Sequence, residues 1–373
     1  MSVPFIDLKA QYARIQDDIN AGIQGVLQHG KYIMGPEIAE LEAKLADFCG
    51  AKHAITCSNG TDALSLGLMA YDIGPGDAVF TTPFTFFATA EVIALAGATP
   101  VFVDIDPKTF NIDPVKLAEE VAKVVAEGTL TPRGIVPVNL FGLAPDFDAI
   151  DIVAKEHGLF VLEDTAQGFG GVYKGRISGS LGDISSTSFF PAKPLGCYGD
   201  GGAVFTSDDD LAAKMRSIRV HGQGADKYDN VRIGLNARMD TMQAAILMPK
   251  LAIFAEEIKL RQKVADNYSR ALNGLVQTPY VPEGYSSVWA QYSVLSDQRE
   301  TLQEALKEAG IPSVIYYRIP CHLSKAFEHL GYKEGDMPES EKASKRIFSL
   351  PMHPYIDDSF ADTVADVFRN VVA

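Results

Sequence analysis

The stretch Ile184–Phe205, ISSTSFFPAKPLGCYGDGGAVF, decides the fold that we predict for this chain. Its first seven residues are rich in β-forming types, which predicts a strand that ends before Pro191. Pro194 and the glycines between Gly196 and Gly202 disfavour a helix in the residues that follow. The pattern therefore predicts a strand followed by a short, stiff loop, and this loop carries one amine, that of Lys193.

Lys193 has an apolar sequence neighbourhood, because no charged residue lies within five positions on either side of it. Desolvation lowers the pKa of a lysine, and a lysine that forms a Schiff base needs a lowered pKa to act as a nucleophile. A lysine in an apolar loop can also simply extend its amine into solvent. From this loop alone, both interpretations stay open.

Asp164 favours the first interpretation. The apolar run Gly158–Leu162 is typical of a strand that is buried on both faces, and it ends in Glu163 and Asp164. Ligand sites in open α/β sheets lie at the carboxyl ends of strands. A carboxylate at one strand end and a desolvated lysine just past another suit pyridoxal phosphate chemistry, in which the lysine forms an imine and the aspartate keeps the pyridinium nitrogen protonated.

Five segments carry a resemblance to a known family. They are SNGTDAL (58–64), PFTFFAT (83–89), EDTAQGFG (163–170), SFFPAKPLGCYGDGGAVF (188–205) and GLNARMDTMQAAIL (234–247). In this order they resemble the fold type I pyridoxal phosphate enzymes of the DegT/StrS group, the nucleotide-sugar aminotransferases, and the similarity extends from Phe5 to the SLPMHP segment at Ser349. The resemblance implies an α/β fold with a mostly parallel central sheet, helices on both faces and a smaller α/β C-terminal domain.

The resemblance also implies which residues contact the cofactor, pyridoxal 5'-phosphate, held as a Schiff base on Lys193. The implied contacts are Gly60, Thr61, Asp62 and Ser188 with the phosphate, Phe86 stacked on the ring, Ala166 beneath it, Gln167 at the phenolic oxygen, Asp164 at the ring nitrogen, and Asn236 at the phosphate of a neighbouring subunit. Lys193 and Asp164 are the implied catalytic residues. From the residues alone, Thr61 also fits a plain helix N-cap, Gln167 an ordinary loop residue and Asn236 a turn former.

Substrate contacts are implied for Arg238, Tyr317 and Arg318. Relatives often have a proline where this chain has Arg318, so this arginine either faces solvent or meets a substrate carboxylate. Because the Asn236 loop crosses between subunits in the family, the resemblance implies a homodimer with shared active sites.

Composition excludes several classes of function. The net charge of −15 and the pI of about 4.9 argue against nucleic acid or an anionic membrane as a partner. The N-terminus shows no secretion signal and no uncharged run reaches transmembrane length, so we expect a cytoplasmic protein. The four cysteines and seven histidines lack ligand spacing, which predicts no metal site.

Two domains are predicted, an N-terminal arm with the large cofactor-binding domain (1–250) and a small C-terminal domain (251–373). We expect Pro249 to end a helix that begins near Thr241, and a linking helix to run from Leu251 to Leu272. Strands are predicted at 288–294 and 314–317. Residues 123–133 are expected to form a surface insertion.

The predicted reaction is transamination of a nucleotide-linked keto-sugar with L-glutamate as the donor. The resemblance points to amination at C3 of UDP-2-acetamido-2-deoxy-3-oxo-D-glucuronate, for O-antigen or polysaccharide synthesis. Two alternatives stay open: an aminotransferase for a 4-keto UDP or GDP hexose or a 3-keto dTDP hexose, and a non-catalytic regulator that binds pyridoxal phosphate.

Overall fold

The fold is built around a seven-stranded sheet, seen in a computed structural model that describes residues 3–226 and 228–372. The helices are α1 (Leu8–His29), α2 (Pro36–Cys49), α3 (Gly60–Ala70), α4 (Ala88–Leu95), α5 (Pro114–Glu127), α6 (Phe147–His157), α7 (Asp209–Ile218), α8 (Thr241–Ala271), α9 (Arg299–Glu308), α10 (Pro338–Arg346) and α11 (Phe360–Val372). The strands are β1 (His53–Cys57), β2 (Asp77–Thr81), β3 (Thr99–Phe102), β4 (Thr131–Val136), β5 (Phe160–Asp164), β6 (Val172–Tyr173), β7 (Arg176–Ile177), β8 (Ile184–Ser188), β9 (Gly202–Thr206), β10 (Tyr285–Ser286), β11 (Tyr292–Leu295) and β12 (Ile347–Leu350).

The order of strands in the main sheet is β1-β9-β8-β5-β4-β2-β3. Only β9 runs against its neighbours, since it pairs antiparallel with both β1 and β8, and the remaining pairs are parallel. The predicted mostly parallel sheet is therefore confirmed. Because β1, β5 and β8 point the same way, the turn after β1, the end of β5 and the start of the Lys193 loop lie at one edge of the sheet.

Helices cover both faces of this sheet, as the side chains of β9 show. Successive residues of a strand point to opposite faces. Val204 packs in the cluster that contains residues of α3 and α7, whereas Ala203 and Phe205 pack in the cluster that contains residues of α2 and α8. The predicted two-sided arrangement is confirmed.

A second core lies in the C-terminal part of the chain, where β11 and β12 pair antiparallel and pack with α9, α11 and the end of α8. This confirms the smaller α/β domain. The prediction that Pro249 ends a helix is wrong, because α8 runs through it without a break. An interior proline costs about 3 kcal/mol, but each large buried apolar side chain contributes roughly 1.5 to 3 kcal/mol. Phe254 in the first core and Val264 in the second belong to this one helix.

Two other local predictions need correction. The strand predicted at 288–294 is confined to β11, and the one predicted at 314–317 is reduced to a single bridge between Val314 and Ser349. The segment 123–133 contains the end of α5, which continues to Glu127, and the start of β4 at Thr131; that it is an insertion stays a prediction. The domain boundary between residues 250 and 251 stays a prediction. Along α8, Phe254 still packs in the first core and Val264 packs in the second.

Candidate active site

The loop after β8 has the stiff, non-helical form that the sequence predicts. The Lys193 N–H donates to the Phe190 carbonyl at 2.8 Å, and the Cys197 N–H donates to the Phe189 carbonyl at 2.8 Å. A Cβ atom on Gly196 would lie 2.6 Å from the Phe190 oxygen, so the loop can close this tightly only with glycine there. These contacts fix the backbone on both sides of Lys193.

Lys193 and Asp164 influence each other electrostatically. Lys193 is half-buried, and burial lowers the pKa of its amine, while the negative charge of Asp164 opposes that shift. Asp164 is buried, and its two carboxylate oxygens each accept one hydrogen bond, from the Ala166 N–H at 3.0 Å and from the Thr89 hydroxyl at 2.9 Å. Burial raises the pKa of Asp164, and both donors oppose this effect.

The turn between β1 and α3 forms a second part of the site. Asn59 caps the helix, because its side chain accepts from the Asp62 N–H at 2.8 Å, so the alternative of Thr61 as N-cap is wrong. The Asp62 carboxylate accepts hydrogen bonds from the Ser58 hydroxyl and from the Asn59 amide. Asp62 therefore stabilises the turn through its side chain.

Gly60 brings this turn against the end of β8. A Cβ atom at Gly60 would lie 2.6 Å from the Cβ of Ser188, so the close approach requires glycine. Within the described part of the chain, the N–H groups of Gly60 and Thr61 have no hydrogen-bond partner. Unpaired N–H groups at a helix N-terminus beside a hydroxyl suit a phosphate. The residues present thus fit the phosphate of the predicted cofactor.

An aromatic group borders the space near Asp164. The Tyr317 hydroxyl accepts from the side-chain amide of Gln167 at 2.8 Å, and the side-chain carbonyl of Gln167 accepts from the Phe141 N–H at 2.8 Å. The Phe86 ring is 57% exposed and its centroid lies 6.5 Å from that of Tyr317. Gln167 keeps one free amide hydrogen, and Phe86 keeps an open face, so both remain able to meet a planar cofactor.

Thr89 is a residue of the site that the sequence does not mark, and Glu163 supports the end of β5 from the face opposite to Asp164. Glu163 is fully buried beside Asp164 and accepts from Ser185 at 2.5 Å, Asn139 at 2.8 Å and two backbone N–H groups. Burial raises the pKa of Glu163 and these donors oppose it. A hydroxyl at the start of α4, whose other residues are apolar apart from Glu91, was the available signal for Thr89, and the doublet at the end of β5 was the signal for Glu163.

The predicted cofactor contact Asn236 and the predicted substrate contacts Arg238, Tyr317 and Arg318 are more scattered. Asn236 is exposed, and its side-chain carbonyl accepts two hydrogen bonds from the Arg238 guanidinium, at 2.7 and 3.1 Å. Between them, the Ala237 carbonyl accepts from the Ser58 N–H at 3.2 Å, which places this segment beside the Gly60 turn. Arg318 is exposed, next to the half-buried Tyr317.

No helix within residues 3–226 and 228–372 combines the length and the apolarity that crossing a membrane requires. Over these same ranges, no three His, Cys, Asp or Glu side chains are grouped as ligands of a metal ion would be.

Comparison with known proteins agrees with this geometry. The model of the DegT/DnrJ/EryC1/StrS aminotransferase family matches residues 13–369. The chain is 51% identical over 371 residues to a UDP-2-acetamido-2-deoxy-3-oxo-D-glucuronate aminotransferase of Pseudomonas aeruginosa, with 99% of this chain and 100% of that protein covered. It is 45% identical to a pleiotropic regulatory protein of Geobacillus stearothermophilus, with coverage of 99% and 100%.

Among solved structures, an aminotransferase of the same family from Brucella abortus matches with a TM-score of 0.97 and 50% identity, and both chains are covered completely. The chain therefore belongs to the DegT/DnrJ/EryC1/StrS aminotransferase family, whose enzymes depend on pyridoxal phosphate.

Proposed function

We propose that this enzyme transfers the amino group of L-glutamate to C3 of UDP-2-acetamido-2-deoxy-3-oxo-D-glucuronate, in the synthesis of O-antigen or polysaccharide sugars. The observation that carries the transamination is the half-buried Lys193 amine, with its lowered pKa, influenced by the charge of buried Asp164. The choice of sugar is supported by the 51% identity to the Pseudomonas aeruginosa enzyme. A cytoplasmic location stays a prediction.

The cofactor supplies an electron sink when it is bound, and the chain supplies the groups that hold and use it. The N–H groups of Gly60 and Thr61 and the hydroxyl of Ser188 would bind the phosphate. Asp164 would hold the ring nitrogen protonated, and Phe86 would stack on the ring, an arrangement that contributes about 0.5 to 1.5 kcal/mol beyond its burial.

Lys193 has two roles in this proposal. It would hold the cofactor covalently. Its freed amine would take the proton from Cα of L-glutamate in the first half-reaction, and in the second it would deliver a proton to C3 of the sugar. A protonated amine cannot accept the proton from Cα. Burial lowers the pKa of Lys193 and so increases the neutral fraction near physiological pH.

The proposed substrate is anionic, and the protein carries a net charge of −15, so binding needs local cations. We assign this role to Arg238 and Arg318, with Tyr317 at the edge of the cofactor space. The guanidinium of Arg318 is exposed and matches the carboxylate of a uronate, which neutral hexoses lack.

A panel of keto-sugars tests the assignment. The purified enzyme with pyridoxal phosphate and L-glutamate is offered the 3-keto UDP-uronate, 4-keto UDP and GDP hexoses and a 3-keto dTDP hexose, and amino sugar and 2-oxoglutarate are measured by mass spectrometry. We expect kcat/KM for the uronate to exceed the others at least about tenfold, the discrimination that one charged contact provides. A neutral hexose as the best substrate would overturn the sugar assignment. If glutamate yields no 2-oxoglutarate, the non-catalytic regulator is the better description.

We further propose a homodimer in which Asn236 and Arg238 complete the site of the partner subunit. Exposed apolar side chains support this: Ile233 is 86% exposed, and Tyr32 and Ile33 are about half exposed, at 51% and 46%. The Tyr32 carbonyl accepts from the Thr241 N–H at 2.9 Å, so this patch adjoins the Arg238 segment. Apolar surface of this kind is typical of an interaction site.

Hybrid dimers provide the test. Lys193→Ala and Arg238→Ala homodimers are each expected to be inactive or nearly so. If the site is shared, an equal mixture refolded together contains hybrids with one intact site, and about a quarter of wild-type activity should return. Sedimentation of the mixture checks that dimers form. No recovery in a mixture that sediments as dimers would mean that each site belongs to a single chain.

A further inference from the structure

Helix α8 holds the Lys193 loop through two side chains that are seven residues apart and so share one helix face. The side-chain carbonyl of Gln243 accepts from the Tyr198 backbone N–H at 2.9 Å, and the side-chain amide of Gln243 donates to the Tyr198 backbone carbonyl at 3.4 Å. The Lys250 ammonium donates to the Gly196 carbonyl at 2.6 Å. The loop is thereby attached to α8 at two points within five residues of Lys193.

The burial of Lys250 is unusual for a lysine. Its side chain is only 1% exposed, and its ammonium lies 4.0 Å from the centre of the Tyr198 ring. In the described part of the chain, no carboxylate lies within ion-pair distance of it. The nearest acid along this helix face, Glu257, accepts instead from Gln11 at 2.9 Å and from Tyr355. Burial lowers the pKa of Lys250 to about 8.

A buried charge without a counter-ion opposes folding, and an apolar side chain of similar volume is often as stable or more stable at such a position. Packing alone therefore does not explain this lysine. A methionine could replace the packing of Lys250 but neither its hydrogen bond to Gly196 nor the contact of its ammonium with the Tyr198 ring.

Gly196 is well placed to transmit that contact to Lys193. An added Cβ at Gly196 would lie 2.6 Å from both the Phe190 and the Pro191 carbonyl oxygens, so the backbone after Lys193 packs directly on the backbone before it. The Cys197 thiol also bonds the Phe189 carbonyl, at 3.0 Å. A tether at Gly196 thus restrains both arms of the loop that presents the Lys193 amine.

We propose that Lys250 is a positioning residue for the transfer reaction: its hydrogen bond to the Gly196 carbonyl immobilises the loop and so keeps the Lys193 amine in place for proton transfer. The kinetic part of this inference rests on the proposed function, whereas the restraint of the loop can be measured without it.

The test compares Lys250→Met with Lys259→Met, which replaces an exposed lysine of the same helix. Hydrogen exchange of the Cys197 and Tyr198 amides is measured in the protein without cofactor. The rate of the first half-reaction is measured in single turnovers with saturating L-glutamate. For Lys250→Met we expect amide exchange at least about tenfold faster, a half-reaction at least about tenfold slower and little change in the affinity for glutamate. The melting temperature should stay unchanged or rise, and Lys259→Met should match wild type throughout.

A purely structural lysine would give a different result. Folded Lys250→Met protein with exchange and half-reaction rates within twofold of wild type overturns the proposal. If that variant does not fold, Lys250→Leu, which also lacks a hydrogen-bond donor, is measured by the same criteria. Wild-type protein that shows no half-reaction contradicts the proposed function, and the exchange rates then still decide whether the tether restrains the loop.

Discussion

Lys193→Ala is expected to bind pyridoxal phosphate without a covalent link and to lose the half-reaction with L-glutamate. General acid–base catalysis by a placed side chain contributes about 10²- to 10⁴-fold, and this lysine would also form the covalent link, so we expect a loss of at least about 10³-fold. The measurement is the visible spectrum before and after L-glutamate, in which the wild-type band should bleach and the variant band should persist.

A matched control for this experiment is Lys155→Ala, because the Lys155 side chain is 81% exposed on the same domain. It should bleach at the wild-type rate. Bleaching of Lys193→Ala within tenfold of wild type would remove the central assignment, since another base would then be moving the proton.

Asp164→Asn has the second largest expected effect. The substitution keeps the shape of the side chain but removes the negative charge that would hold the ring nitrogen protonated. We expect the half-reaction to slow by about 10²- to 10³-fold, the range found when one preorganised electrostatic partner is lost. Single-turnover kinetics with L-glutamate measures this, and the melting temperature should change little because the variant remains able to bond with Ala166 and Thr89.

Two further variants are compared with Asp164→Asn, one at a neighbour of Asp164 and one at an exposed carboxylate. Thr89→Val removes one donor to the carboxylate, which accepts it at 2.9 Å, and should slow the half-reaction by about tenfold. Asp148→Asn removes a carboxylate that is 56% exposed and should leave the rate unchanged. Equal rates for Asp164→Asn and Asp148→Asn would argue against the role assigned to Asp164.

The sequence predicts the central pair because its signals are local. Lys193 stands in a loop whose proline and glycines exclude a helix, and Asp164 ends an apolar strand. Each feature can be read within about ten residues, and the parallel sheet then brings the two strand ends to one edge. The Gly60 turn beside Ser188, in contrast, is implied by the family resemblance and not by a local signal.

The remaining contacts depend on distant parts of the chain. Thr89 meets Asp164 across 75 positions, Tyr317 meets Gln167 across 150, and Lys250 meets Gly196 across 54. A local pattern can mark one residue, such as Asp164, but it does not show which distant residue that side chain meets. A lysine after a proline in a helical segment is typical of an exposed surface, so the burial of Lys250 is decided by the packing of α8 against the loop.

The prediction that Pro249 ends a helix failed for a related reason. Local preference disfavours proline inside a helix, but burial of side chains on both sides of it outweighs that preference.

The uninterrupted α8 also decides how this protein can be divided in the laboratory. A fragment that stops at residue 250 would lose Phe254 from the core of the first domain and Glu257, whose carboxylate accepts from Gln11 of α1. The remaining piece would begin with a helix whose buried residue Phe254 would be exposed to solvent. A fragment of the first domain should therefore keep residues 241–271 whole and end in the turn after Leu272, and a fragment of the second domain should begin before Thr241.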